Sequence, residues 1–147
     1  YAPNVNSYRR FTPEVSAPIN LHWGYDNRTT GLRVPDAGPK NYRIENRFPG
    51  ADINPYLAIA ATLACGYLGM KNKIQPSAAF EGNAYEEDID VPRTLEEALR
   101  GLQENQEIID IFGEKFIQLY TSIKLVEFEE FNRVISSWER EHLLLNV

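Results

Sequence analysis

Between residues 54 and 71 apolar side chains run almost without a break, whereas on either side they come in short bursts or at regular intervals. Leu57, Ile59, Ala60, Ala61, Leu63, Ala64 and Leu68 go nearly all the way round a helical wheel, the pattern of a helix packed on several sides. Asn54 can accept a bond from a free N–H at the helix start, and Pro55 has no N–H to lose at the first helical position. The helix is therefore predicted from there to about Met70, with Lys71 and Lys73 placed favourably at its carboxyl end. The first fifty residues are cut by Pro3, Pro13, Pro18, Pro35, Pro39 and Pro49, which leave room only for short extended segments. Residues 19–23, 31–34 and 42–48 carry the β-branched, aromatic and alternating composition of half-buried strands. Residues 75–93 are polar, hold the acidic stretch Glu86-Glu87-Asp88 and have no sustained period, as a loop does. Thr94-Leu95-Glu96-Glu97 has the form of a capping box, so a helix is predicted to about Asn105. From Gly113 to the end, Phe116, Leu119, Tyr120, Ile123, Phe128, Phe131, Ile135 and Trp138 make one amphipathic stripe opposite Glu127, Glu129 and Glu130. The expected fold is α+β: a few antiparallel strands, then a buried helix and a long helical tail.

Composition narrows the class. With 43% hydrophobic and 12% aromatic residues, the 147-residue chain lies outside the regime of disordered polymers and has the size of one domain. Cys65 has no partner for a disulfide, and its Ala/Gly-rich surroundings predict a buried, inert thiol in a reducing compartment such as the cytoplasm. His22 and His142 lack metalloprotease spacing, so no structural zinc is expected. The run from Ile53 to Met70 contains Asn54, Pro55, Thr62, Gly66 and Gly69, which fits a soluble buried helix better than a membrane span. No secretion leader opens the chain, and the start at Tyr1 without Met suggests a fragment.

Charge is distributed unevenly. The net value is −6, yet residues 1–50 hold seven Arg or Lys against four acids, while the remainder holds eight against seventeen. A basic first third on an acidic body predicts cations that serve a local anionic ligand. Nucleic-acid binding is not expected, because the body is acidic and no aromatics interleave with the basic residues as stacking platforms.

The strand at 42–48 is the most informative. Arg43, Glu45 and Arg47 are two apart and project from one face, with Ile44, Asn46 and Phe48 on the other. Such a row is compatible with an ion-pair ladder on a sheet. It also suits a site where Glu45 ligates a hard divalent cation and arginines grip phosphate or carboxylate oxygens. Arg9, Arg10, Arg28, Arg33 and Lys40 add cations in loops or at strand ends. No P-loop or Gly-x-Gly-x-x-Gly turn is present.

Asn6-Ser7-Tyr8-Arg9-Arg10, Asn27-Arg28 with Arg33-Val34-Pro35, Arg43-Ile44-Glu45-x-Arg47, and Asn54-Pro55-Tyr56-Leu57-Ala58 with Ala60-Ala61 resemble, in order and spacing, the motifs of glutamine synthetases. The resemblance implies that residues 1–147 are the C-terminal part of that catalytic domain, residues 1–50 carrying the active-site arginines and 51–147 the helical part. It implies ATP and Mg²⁺ or Mn²⁺, glutamate and an amine as ligands, and a homododecamer for the full-length protein. Under it, Arg10 grips substrate glutamate, Arg47 contacts glutamate or its acyl phosphate, Arg28 meets the transferring phosphoryl group so that Arg28 and Arg47 are the catalytic pair, Arg33, Lys40 and Arg43 hold ATP, and Glu45 is a metal ligand. Trp23-Gly24-Tyr25-Asp26-Asn27-Arg28, Gly50-Ala51-Asp52 and Gly82-Asn83-Ala84-Tyr85 look closer to γ-glutamylputrescine synthetases, which implies a polyamine acceptor. Ammonia is the alternative acceptor, and a non-catalytic member of the family is a second alternative. Tyr85 falls near the adenylylation tyrosine of bacterial glutamine synthetases, but Glu86-Glu87-Asp88 replaces the usual neighbours, and an ordinary loop tyrosine is expected. A fragment holding one metal-binding carboxylate is expected to be inactive alone.

Overall fold

The computed structural model describes residues 1–13 and 15–145, so the last two positions of the predicted tail, Asn146 and Val147, lie outside it. Three short strands form a mixed sheet in the order β1 (Trp23–Tyr25), β2 (Leu32–Val34), β3 (Glu45–Asn46). β2 and β3 pair antiparallel, as expected, but β1 and β2 run parallel, which corrects the all-antiparallel expectation. Asp26, at φ +49, turns the chain out of β1 in a left-handed conformation that aspartate tolerates. The return through residues 26–31 then brings β2 alongside in the same direction.

The strands are shorter than predicted because their backbone groups find other partners. Ile19 and Asn20 are fully buried, yet the Ile19 carbonyl accepts from Asp90 N–H and the Asn20 amide donates to the Ala84 carbonyl. The loop at 75–93 therefore takes the place of a neighbouring strand. Gly31 is required where it stands: a Cβ there would lie 2.2 Å from the Phe48 ring and 2.9 Å from the Asn20 carbonyl.

Helix α1 (Pro55–Lys71) starts as its sequence predicts, with the Asn54 side chain accepting from Tyr56 and Leu57 N–H. Its packing differs from expectation. Ala58, Ala64 and Leu68 are buried, but Tyr56, Ile59, Leu63, Tyr67 and Met70 are exposed, and so is Cys65, which was expected to be buried. The all-round apolar surface of this helix meets neighbours from this chain on one side only.

The helices that follow are α2 (Leu95–Glu104), α3 (Gln106–Phe112), α4 (Glu114–Asn132) and α5 (Ser137–His142). Thr94 caps α2 by accepting from Glu97 N–H, but the Glu97 carboxylate reaches Arg93 N–H rather than closing the box on Thr94. The reciprocal box occurs instead at Ser136 and Glu139, where it starts α5. The predicted continuous tail is thus two helices. The residues it faces inward are Ile117 and Thr121, with Tyr120, Leu125 and Phe128 partly buried, whereas Leu119, Ile123, Phe131, Ile135 and Trp138 are exposed.

The main core joins the amino-terminal turn Ser7–Arg10 to α2 and α4 through Tyr8, Phe11, Ala17, Val91, Leu95 and Leu99, with Phe48 packed against it. Phe48 therefore links this core directly to the segment that carries Glu45, on β3, and Arg47, just after it. Asp52 ties the same turn to the approach of α1 by accepting from the Ser7 hydroxyl and, at 3.0 Å, from the Asn4 amide. The Ser7 bond, followed by Asn4 and the Arg10 charge, holds the Asp52 carboxyl below its ordinary range. A carboxyl depressed in the folded state adds stability above its unfolded pKa and loses it as pH falls through the folded one. The thermal midpoint is accordingly expected to drop on acidification below about pH 4. Asp52→Asn, followed by circular dichroism melts across the same pH series, is expected to show a smaller drop.

Candidate active site

Register builds the site. Arg33 on β2 stands opposite Glu45 on β3, so both side chains leave the same face of the antiparallel pair. Arg33 Nη1 donates to Glu45 Oε2 at 2.8 Å and Arg43 Nη2 donates to Glu45 Oε1 at 3.0 Å. Arg33 Nη2 also pairs with Asp26, delivered by the left-handed turn after β1. An alternating row results, Asp26, Arg33, Glu45, Arg43. The Arg33 bond is the main reason that the Glu45 carboxyl lies below its usual range, and Glu45 in turn raises the Arg33 guanidinium. The ion-pair ladder anticipated for Arg43, Glu45 and Arg47 is present only in its Arg43–Glu45 half: the second partner of Glu45 is Arg33 from β2, and Arg47 turns to backbone carbonyls instead.

The ladder also walls a cavity. Ser16, Arg28, Thr29, Arg33, Glu45, Arg47 and Tyr85 line a space of about 370 Å³. Arg47 is held rigidly there: Nη1 donates to the Thr30 carbonyl and Nη2 to the Ser16 carbonyl, both at 2.8 Å. Ser16 has φ +64, so the backbone conformation that presents this carbonyl is itself uncommon for a serine. Arg28 is exposed and makes no ion pair among the described residues. Asn27 sets its loop, its side-chain oxygen accepting from both Thr29 N–H and the Thr29 hydroxyl.

Four predicted residues, Arg28, Arg33, Glu45 and Arg47, therefore meet at one cavity. Arg43 touches it through Glu45 but lines the adjoining space of about 530 Å³ with Tyr25, Val34, Tyr42 and Ile44. Arg10 and Lys40 are absent from both linings. The Arg10 guanidinium donates to the Phe48 carbonyl at 2.9 Å and lies against the Phe11 ring, while Lys40 is exposed on the turn Pro39–Asn41. Ser16, Thr29, Asp26 and Tyr85 complete the site without having been singled out as site residues. Asp26 and Thr29 flank the Asn-Arg pair, and that adjacency was the available signal; Tyr85 stood in a segment that resembles the family but was read as an ordinary loop tyrosine, and Ser16 had no signal.

As a cation site the cluster is incomplete. Glu45 offers carboxylate oxygens of the right hardness, but no group of three His, Cys, Asp or Glu that could hold a metal occurs among the described residues. As an anion site it is well provided, with guanidiniums outnumbering the carboxylates they meet. No helix among the described residues is long and apolar enough to cross a membrane.

A mixed α+β scaffold that gathers arginines and one carboxylate around a polar cavity defines a domain built to hold oxyanions. The chain belongs to the glutamine synthetase catalytic-domain family, whose model matches residues 1–143. It is 42% identical over 141 residues to a γ-glutamylethanolamide synthetase of Streptomyces coelicolor, covering 95% of this chain and 30% of the relative. It is 40% identical over 146 residues to the γ-glutamylputrescine synthetase PuuA of Escherichia coli, covering 99% and 31%. A solved GmaS/ADP complex superposes with TM-score 0.84 at 29% identity, covering 97% of this chain and 35% of that one. The chain thus spans about a third of the length of the proteins it matches.

Proposed function

We propose that this chain is part of an ATP-dependent ligase that joins the γ-carboxylate of glutamate to an amine, with a polyamine as the acceptor. The observation that carries the reading is the convergence of Arg28, Arg33, Glu45 and Arg47 on one cavity, in a family whose named relatives make γ-glutamyl amides. In the proposed reaction the glutamate carboxylate takes the terminal phosphoryl group of ATP, ADP departs, and the amine nitrogen then attacks the acyl carbon. Phosphate leaves and the nitrogen loses a proton.

Phosphoryl transfer is accelerated mainly by positioning and by neutralising charge on spread-out oxygens. Arg47 suits this, because two protein carbonyls fix its guanidinium before any ligand arrives. Arg28, which makes no ion pair among the described residues, has its donors available for the transferring phosphoryl group. Arg33 and Arg43, already oriented by Glu45, present their remaining N–H donors to nucleotide phosphates, with Lys40 further out. Arg10, whose guanidinium lies beside the Phe48 carbonyl, is assigned to the substrate glutamate. Glu45 would contribute one ligand to Mg²⁺ or Mn²⁺, which supplies charge neutralisation between phosphates when bound.

The test uses a full-length protein that carries this segment. Phosphate release is followed with ATP and glutamate plus putrescine, ethanolamine or ammonia, and the amide is identified by mass spectrometry. Putrescine is expected to support the highest kcat/KM. Preference for ammonia would replace the polyamine reading with glutamine synthesis, and no amide from any amine would remove the ligase reading. The isolated segment is expected to give no turnover.

A further inference from the structure

Tyr85 lines the same cavity as Arg28, Arg33, Glu45 and Arg47, and nothing in the ladder or in the proposed reaction uses it. Its hydroxyl is buried and has no hydrogen-bond partner among the described residues. Arg33 Nε, on another residue of the lining, is a second buried donor in that condition. A buried donor left unpaired destabilises a fold, and its retention in a polar cavity calls for an explanation.

The position of Tyr85 is determined by the chain rather than left to a loose loop. Phe80 N–H donates to the Trp23 carbonyl at 2.7 Å, and the Trp23 indole donates to the Ser77 carbonyl at 2.9 Å. The Asn27 amide donates to the Gly82 carbonyl at 2.9 Å. The next residues are held from both sides: the Ala84 carbonyl accepts from Asn20 at 2.7 Å, and Ala84 N–H donates to the Thr29 hydroxyl at 2.8 Å. Tyr85 N–H donates to the Asn83 side chain in the turn Ala84–Glu86. Gly24 permits this close approach, since a Cβ there would stand 2.8 Å from the Phe80 carbonyl. Asn27 and Thr29 therefore both flank Arg28 in sequence and fasten the segment that carries Tyr85. The cation and the phenol are placed by one network.

We propose that Tyr85 is a ligand-contacting residue of this cavity, its hydroxyl donating to an anionic oxygen held among Arg28, Arg33 and Arg47. The oxygen belongs to a carboxylate or to a phosphoryl group, both of which the cavity's cations accommodate. The assignment rests on the ligase reading for the identity of those ligands and on the geometry for everything else. A phenol suits the task because it donates one directed bond without adding charge, and shielding from water strengthens that bond. The same burial argues that Tyr85 is not presented for covalent modification in this conformation.

The test compares wild type with Tyr85→Phe in the full-length protein, which keeps the ring and removes only the hydroxyl. Binding of L-glutamate and of inorganic phosphate is measured by calorimetry, alongside steady-state kinetics and thermal melts. At least one of the two probes is expected to bind about tenfold or more weakly to the variant, the scale of a lost hydrogen bond to a charged group. The melting midpoint without ligand is expected to hold or rise, because an unpaired buried group has been removed. Weaker glutamate binding with a raised KM assigns the oxygen to the substrate carboxylate. Weaker phosphate binding with a lowered kcat assigns it to the phosphoryl group. Equal affinities for both probes, or a midpoint lowered by several degrees, would overturn the proposal in favour of a wall residue. If wild type binds the probes more tightly than the variant yet forms no amide, Tyr85 keeps its role and the ligase reading fails; if wild type binds neither, both fail.

Discussion

Arg47→Ala is expected to lower kcat of the full-length ligase by about 10²–10³, the scale for loss of one fixed donor aimed at developing oxyanion charge. The size follows from how the side chain is held. Both of its terminal nitrogens are already committed to protein carbonyls, Thr30 on one side and Ser16 on the other, so the guanidinium costs no reorganisation when charge develops beside it. Alanine removes that charge and also strips a partner from two carbonyls, one of them on the fully buried Thr30. Stability is therefore expected to fall as well, by about 1–3 kcal/mol if the carbonyls go unpaired. Arg47→Lys separates the two effects: it keeps the charge but cannot bond both carbonyls at once. The lysine variant is expected to recover part of the turnover and little of the stability. Folded Arg47→Ala protein with near wild-type kcat would remove Arg47 from the chemistry.

The second large effect is expected at Glu45. Glu45→Gln keeps the shape but removes the negative charge between Arg33 and Arg43, and it turns an N–H₂ group toward one of them. The divalent-cation concentration giving half-maximal activity is expected to rise at least about tenfold, with kcat reduced even at saturating metal. ATP affinity is also expected to weaken, because the two arginines lose the group that orients them. Metal titration of the wild type and the variant checks the first point. An unchanged metal requirement would confine Glu45 to the ion-pair ladder. A second readout is independent of activity: Glu45 is held below its ordinary range by Arg33, so its contribution to stability is lost as pH falls, and that loss is expected to disappear in the glutamine variant.

Local chemistry was legible from the chain wherever near neighbours set the outcome. Asn54 and Pro55 start α1, Thr94 starts α2, and the two-residue spacing of Arg43 and Glu45 brings the guanidinium to the carboxylate, because caps and near-neighbour pairs depend on residues only a few positions apart. The arginine motifs likewise announced the family before any geometry was known. Ser136 and Glu139 carried the same kind of local signal, which the apolar stripe running across them concealed.

Long-range partners decided the rest. Strand alternation cannot say that Arg47 spends its donors on Ser16 and Thr30, that Arg10 turns to the Phe48 carbonyl, or that Tyr85 comes to stand beside Arg28; each depends on contacts between residues seventeen to fifty-seven positions apart. The parallel pairing of β1 with β2 hinged on one left-handed residue, Asp26, and the exposure of Cys65 on where α1 finds neighbours. Amino-acid order thus determined which elements form and which charges are available, since those follow from propensity and spacing. Tertiary packing alone determined which of those charges share a cavity, since hydrogen bonds from distant segments choose where each guanidinium ends.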